Sequence, residues 1–148
     1  MVAPMSNLDF VSIYQEDKRF GGVFAKDVLP KLQKKYYVIN LDDEGQPGTH
    51  WCAIYNVGSE CYYFDPFGVA PPQLVHRRMN ETKKPVIQSI TELQDISSDY
   101  CGYWCCFFID SMNNGFSLER ILSMFDGVVH PDQRIKKYAT CIQAYLNV

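Results

Sequence analysis

The stretch SSDYCGYWCCFF, residues 97–108, holds three cysteines within six positions. Cysteine serves four chemistries: metal ligation, disulfide pairing, packing as a small apolar side chain, and nucleophilic attack. Metal ligation has little support. Cys101 and Cys105 stand at i, i+4, and no second pair with zinc-like spacing lies nearby. They are not a CxxC redox pair either. The expectation is therefore no metal. Disulfides are weakly indicated by the even count of six cysteines, because no secretory leader is visible and a reducing compartment is expected.

A nucleophilic thiol must first become a thiolate. Cys101 occupies the first turn of a predicted helix, where backbone N–H groups point outward and the dipole favours negative charge. Gly102 follows, leaving room for a substrate backbone to approach. Cys105 and Cys106 lie a turn deeper and read as core residues. The chain has three histidines. His76 sits among charged residues and His130 in a loop; neither receives a role. His50 stands at the mouth of an apolar strand after a Gly-containing loop, and is the best-placed base. An imidazole base needs a third group to orient it. Asp65 closes the apolar run YYFD, and a carboxylate there requires a partner because an unpaired buried charge is costly. If the two runs pair as a hairpin, His50 and Asp65 fall at the same end. Taken singly, each of these residues also has a structural reading: core cysteine, strand-end histidine, turn aspartate before Pro66.

The elements that must hold them in place read as follows. The first 25 residues look irregular. DVLPKLQKK suggests a short helix entered through or kinked at Pro30. YYVINL (36–41), THWCAIYNV (49–57), ECYYFDPF (60–67) and PVIQSI (85–90) read as strands, with NVGSE turning the middle two into a hairpin. Those two runs are too apolar to alternate, so both of their faces should be covered. DDEGQPG (42–48) is a loop. QLVHRRMN suits a short helix. YCGYWCCFFIDSMNNG reads as a buried helix, capped by Ser97, Ser98 or Asp99 and ended before Gly115. SLERILSMF is helical, and the tail from Asp132 forms an amphipathic helix with Ile135, Tyr138, Ile142 and Tyr145 at helical spacing. The mixture of elements gives an α+β class and a single domain, 1–148.

The segments GTHW, YYFDPFG and DYCGYWCC, with YQEDKRFGG (14–22) and Gln94 seven residues before the cysteine, resemble the adenovirus maturation protease (adenain) family. That family belongs to the wider group containing proteases that process ubiquitin-like proteins. The resemblance runs from about residue 14 to about residue 110 and keeps the order His, acid, Gln, Cys. It implies a permuted papain-like fold, with a central mixed sheet against the helix that bears the nucleophile. It implies that Cys101 attacks, His50 relays the proton, Asp65 orients His50, and Gln94 with the Cys101 N–H binds the oxyanion. Trp51 would wall a narrow slot that selects glycine, giving cleavage at Gly-Gly or Gly-X sites. The substrates implied are viral capsid or other structural precursors, processed by a monomer in the virion or the host-cell interior. Adenain is longer, and its activating peptide is joined by a disulfide. The cysteine used there falls at about Lys83 here. A compact virophage or polinton-type member would suit this length.

The 148 residues carry a net charge of −3, and 47% are apolar. That composition is globular. Its acidity argues against sequence-independent nucleic-acid binding, which needs many phosphate contacts. No cofactor is expected; an activating peptide or DNA is the family's alternative. No segment reaches the roughly 18 apolar residues of a membrane span. The charge clusters RRMNETKK and RIKKY read as solvated faces. Two other functions fit the same residues: removal of ubiquitin-like modifiers, and a catalytically silent binding module of this fold.

Overall fold

A hairpin, β3 (Trp51–Val57) and β4 (Glu60–Phe64), forms the middle of a five-stranded mixed sheet. β2 (Tyr36–Asn40) pairs antiparallel with β3, while β1 (Phe20–Ala25) and β5 (Val86–Gln88) flank them in parallel with β2 and β4. The sheet order is β1-β2-β3-β4-β5. The computed structural model describes residues 3–42, 45, 50–95 and 98–147. The loop read at 42–48 falls largely outside them.

The apolar strands are explained by the two faces they cover. Tyr36, Val38, Trp51, Ala53, Tyr55 and Phe64 belong to one core cluster, with the helix α3 (Cys101–Asn113) against it. Tyr37, Ile39, Cys52, Ile54 and Tyr63 belong to a second, closed by Val75 and Met79 of α2 (Gln73–Asn80). Residues of one strand alternate between the faces, and both faces are apolar. The α3 contact is a ring stack: Phe64 and Phe108 lie 4.7 Å apart and 4° from parallel. α1 (Asn7–Tyr14) and α6 (Lys136–Leu146) complete that side. They are tied to α3 through one carboxylate: Tyr14 donates to Asp110 at 3.0 Å, and the Tyr138 hydroxyl donates to its other oxygen. α4 (Leu118–Ser123) is capped by Ser117, and α5 (Pro131–Arg134) precedes α6.

Four expectations are corrected. Within the first 25 residues, Asn7–Tyr14 form α1 and Phe20–Ala25 form β1. The missed signal is a capping box: Ser6 accepts from the Asp9 N–H while Asp9 accepts from the Ser6 N–H. DVLPKLQKK is not helical. Its Gln33 and Lys34 N–H groups both donate to the Tyr37 hydroxyl at 2.8 Å, and Pro30 disfavours helix at Leu29. The α3 N-cap is Tyr100, with no side-chain cap from Ser98 or Asp99; Ser97 is not described. The tail helix is broken at Ile135 into α5 and α6, and Tyr145 points outward at 61% exposed.

Gly21, in the RFGG segment, has a steric reason. A Cβ there would lie 2.1 Å from the Tyr37 ring, which is buried and pinned by its hydroxyl. Gly21→Ala is expected to destabilise the fold by about 1–3 kcal/mol through overpacking. Urea denaturation should show a lower midpoint with an unchanged slope.

Candidate active site

The β3–β4 register sets the site. Ala53 pairs with Phe64, so one step further the strands bring Cys52 opposite Asp65, and His50 falls on the same face as Cys52. His50 Nε2 lies 2.8 Å from Asp65 Oδ1. Facing a carboxylate, Nε2 carries the proton, which leaves Nδ1 as the second ring position. The carboxylate is 0% exposed. Its Oδ1 also accepts the Phe67 N–H at 2.8 Å, and the Asp65 carbonyl accepts the Gly68 N–H at 2.8 Å. DPFG is thus a tight turn that holds the acid. Gly68 has φ +73°, and a Cβ there would meet the Ile90 backbone at 2.8 Å. Phe67 stacks on the imidazole at 4.6 Å, 14° from parallel, fixing the ring plane.

Cys101 opens α3, 7% exposed, with its thiol near enough to the imidazole to raise the His50 pKa. Burial alone would lower the His50 pKa. The hydrogen bonds to Asp65, Cys101 and Cys52 outweigh it and push the pKa up to about 12. The imidazolium is therefore the favoured form beside the thiol. Cys105 and Cys106 are fully buried, and burial pushes both thiols well up. They are core residues, as expected.

Gln94 is 2% exposed. Its side chain donates to the Ser98 carbonyl at 2.8 Å. A carbonyl only accepts, which assigns Nε2 to that contact and leaves a second N–H on the same nitrogen. The Leu93 and Gln94 N–H groups both donate to the Pro66 carbonyl, at 2.8 and 3.1 Å. The Gln94 loop is thereby fastened to the turn that carries Asp65.

A model of the adenovirus endoprotease family matches residues 10–143. The chain belongs to that family. It is 31% identical over 118 residues to the protease of Frog adenovirus 1, covering 69% of this chain and 54% of that protein. It is 32% identical over 110 residues to the protease of Human adenovirus D serotype 9, covering 63% and 50%. The chain spans about half the length of the curated relatives it matches. Among solved structures, the ASFV pS273R protease superposes with a TM-score of 0.65 at 16% identity, over 93% of this chain and 67% of that one. At that identity the likeness carries the fold: the α+β, papain-like arrangement with the cysteine helix against a mixed sheet.

This family member departs from the expectation for Trp51 and Gly102. Trp51 is 4% exposed, packs edge-on against Phe10 at 5.0 Å and donates its indole N–H to the Met5 carbonyl at 3.0 Å. The space above Gly102 is taken by Met5, whose side chain would lie 2.8 Å from an added Cβ. The segment at Met5 accounts for the glycine. Three neighbours of the site went unread in the sequence: Met5, Cys52 and Phe67. The period of two that places His50 also places Cys52 beside it. Met5 leaves no local signal.

His50, Cys52 and Asp65 offer ligand atoms within 4.8 Å of one another, the arrangement among the described residues that could hold a metal ion. Their closeness has another cause. His50 and Asp65 are hydrogen-bonded to each other, and Cys52 shares their face through the strand's period of two.

The raised His50 pKa fixes a pH dependence. A group whose folded pKa exceeds its ordinary 6.5 adds stability that is complete below that pH and is lost as pH climbs toward about 12. Asp65→Asn keeps the acceptor and removes the charge. Its destabilisation should be larger at pH 6 than at pH 9, as measured by urea denaturation at the two pH values.

Proposed function

We propose that the chain is a cysteine endopeptidase with a Cys101–His50–Asp65 triad, cleaving after glycine in viral structural precursor proteins. The observation that carries the proposal is the 2.8 Å bond between His50 Nε2 and the buried Asp65, with Cys101 against the same ring at the start of a helix. The family membership supports the reaction class, and the relatives are viral proteases.

In this reading the Cys101 thiolate attacks the scissile carbonyl carbon, and the carbonyl electrons move to oxygen. The Cys101 N–H and the second Gln94 N–H receive that charge. As the tetrahedral species collapses, the C–N bond breaks and His50 gives its proton to the leaving amine. A thioester remains. Water then attacks it, with neutral His50 taking the proton, and the thiol is regenerated. Asp65 keeps the imidazole in register and stabilises its charged form. Trp51 is packed on Phe10 and Met5, so the glycine preference rests on the family likeness. No cofactor enters the reaction. The net charge of −3 supports a rate that does not depend on DNA. Among the described residues no helix is long and apolar enough to cross a membrane. The reading places the enzyme in the virion or the host-cell interior, as a monomer.

Cys101→Ala should abolish turnover of Gly-Gly-X peptides while leaving the thermal unfolding midpoint within a few degrees of wild type. His50→Ala should abolish turnover and also lower the midpoint, because it leaves Asp65 buried without its partner. Cleavage retained in a clean Cys101→Ala preparation would overturn the triad. Reporters carrying the C-termini of ubiquitin-like modifiers, run beside capsid-type peptides, separate the substrate classes. Faster release from the modifier reporters would reassign the enzyme to that branch.

Mass-spectrometric mapping of alkylation should find Cys101 the fastest thiol at mildly acidic pH, with that advantage lost in His50→Ala. Slow Cys101 labelling in wild type, no faster than the buried thiols, would mean that no thiolate–imidazolium pair stands ready.

A further inference from the structure

Asp132 lies in the four-residue α5, 31 positions beyond the nucleophile, and is only 8% exposed. Its two carboxylate oxygens are both occupied. Oδ1 accepts the indole N–H of Trp104 at 2.6 Å, and Oδ2 accepts the backbone N–H of Asp95 at 3.2 Å. Each donor is a neighbour of the site. Trp104 is on α3, three residues and less than one turn after Cys101. It is fully buried against Phe107 and Phe125 and cannot drift. Asp95 directly follows Gln94. The carboxylate therefore spans from the helix that bears the nucleophile to the strand of chain that bears Gln94.

A buried carboxylate with two N–H donors, one from a side chain and one from a backbone, is a stiff link. Charge-assisted bonds are shorter and stronger than neutral ones. The Gln94 segment carries two fastenings, one to a neutral carbonyl and one to this carboxylate. The Leu93 and Gln94 N–H groups grip the Pro66 carbonyl, next to the acid of the triad. The Asp95 N–H grips Asp132, referenced to α3. The first sets Gln94 relative to His50 and Asp65, and the second sets it relative to Cys101. An oxyanion donor must stand within a few tenths of an ångström of its place, because the charge it meets exists only in the transition state.

We infer that Asp132 is a positioning residue for the Gln94 oxyanion donor, holding the Gln94–Asp95 segment at a fixed distance from the Cys101 helix. This rests on the oxyanion role proposed above for Gln94. Asp132 does not touch substrate. It acts through the backbone of Asp95.

The test uses Asp132→Asn, which conserves volume. One amide oxygen can satisfy one donor, and the amide N–H₂ then faces the other donor. Three quantities are compared in wild type, Asp132→Asn, Gln94→Ala and the double variant: kcat and KM on a Gly-Gly-X peptide, the rate of Cys101 alkylation by iodoacetamide, and the thermal unfolding midpoint. Alkylation proceeds through a displacement that forms no oxyanion, so it reports the thiolate and the fold alone. Asp132→Asn should lower kcat by about 10- to 100-fold, the cost of misplacing a group by around 1 Å. KM should stay within about threefold and the alkylation rate should not change, the pattern of an interaction made only in the transition state. In the Gln94→Ala background the same substitution should add almost nothing, since coupled residues are non-additive.

A parallel loss of alkylation rate would make Asp132 a support of the thiol or of the fold, and would overturn the inference. So would a full additional loss of kcat in the Gln94→Ala background. Slow Gln94→Ala with normal Asp132→Asn would overturn this inference and leave the oxyanion role standing. Normal Gln94→Ala would overturn the oxyanion role, and the inference with it. Should Asp132→Asn unfold, Trp104→Phe removes one of the two donors and is read by the same measurements.

Discussion

A carboxylate with no exposure to water governs this structure. Burying an unpaired charge is expensive, and the chain around Asp65 meets it at one oxygen, Oδ1, while Oδ2 is buried without a hydrogen-bond partner. The protonated edge of His50 and the Phe67 N–H both reach Oδ1, and the DPFG turn closes under them. The turn then governs what lies beyond it. Its Pro66 carbonyl collects the Leu93 and Gln94 N–H groups, Phe67 sets the plane of the imidazole, and Gly68 lets the Ile90 backbone come within contact. One desolvated acid thus organises the base and the loop that carries the amide.

The nucleophile is distinguished from its neighbours by position rather than by residue type. Cys101, Cys105 and Cys106 share one helix. Only Cys101 stands at its first turn and against the imidazole. The other two lie deeper among Trp104, Phe108 and the sheet, where burial opposes the thiolate. The helix is apolar nearly all round because it has no solvent face to present: nine of its thirteen residues are buried. That rigidity suits a group that must hold its aim.

The strands from β2 onward were legible because their runs are apolar and β-branched or aromatic, while β1 was not. A hairpin of β3 and β4 put His50 and Asp65 at one end, and the register that joins them came from the structure. Cys101 was legible from the helix start it occupies. What sequence reasoning lost was settled by contacts far apart in the chain. The hydroxyl of Tyr37 took the N–H groups that a helix at Gln33 and Lys34 would have used. Ile135 broke the tail helix while itself becoming core at 2% exposed. Gly102 read as open space, yet Met5, almost a hundred residues earlier, packs into it. Asp132 carried no signal at all, since its two partners are 28 and 37 positions away. Local signs that were there to be read are the Ser6–Asp9 pair at α1 and Pro30 against a helix at Leu29.

Cys52, Cys61, Cys105 and Cys106 are all at 0% exposure, while Cys141 lies in the open on α6. The sheet and the central helix therefore keep most of the chain's sulfur out of solution as long as they stay packed. Thiol content becomes a clock for the fold. Sulfur that reacts at once belongs to the native molecule, and sulfur that reacts later marks the rate at which the interior opens to water. The cluster that raised the question of chemistry in the sequence is, in the folded molecule, a built-in gauge of its own unfolding.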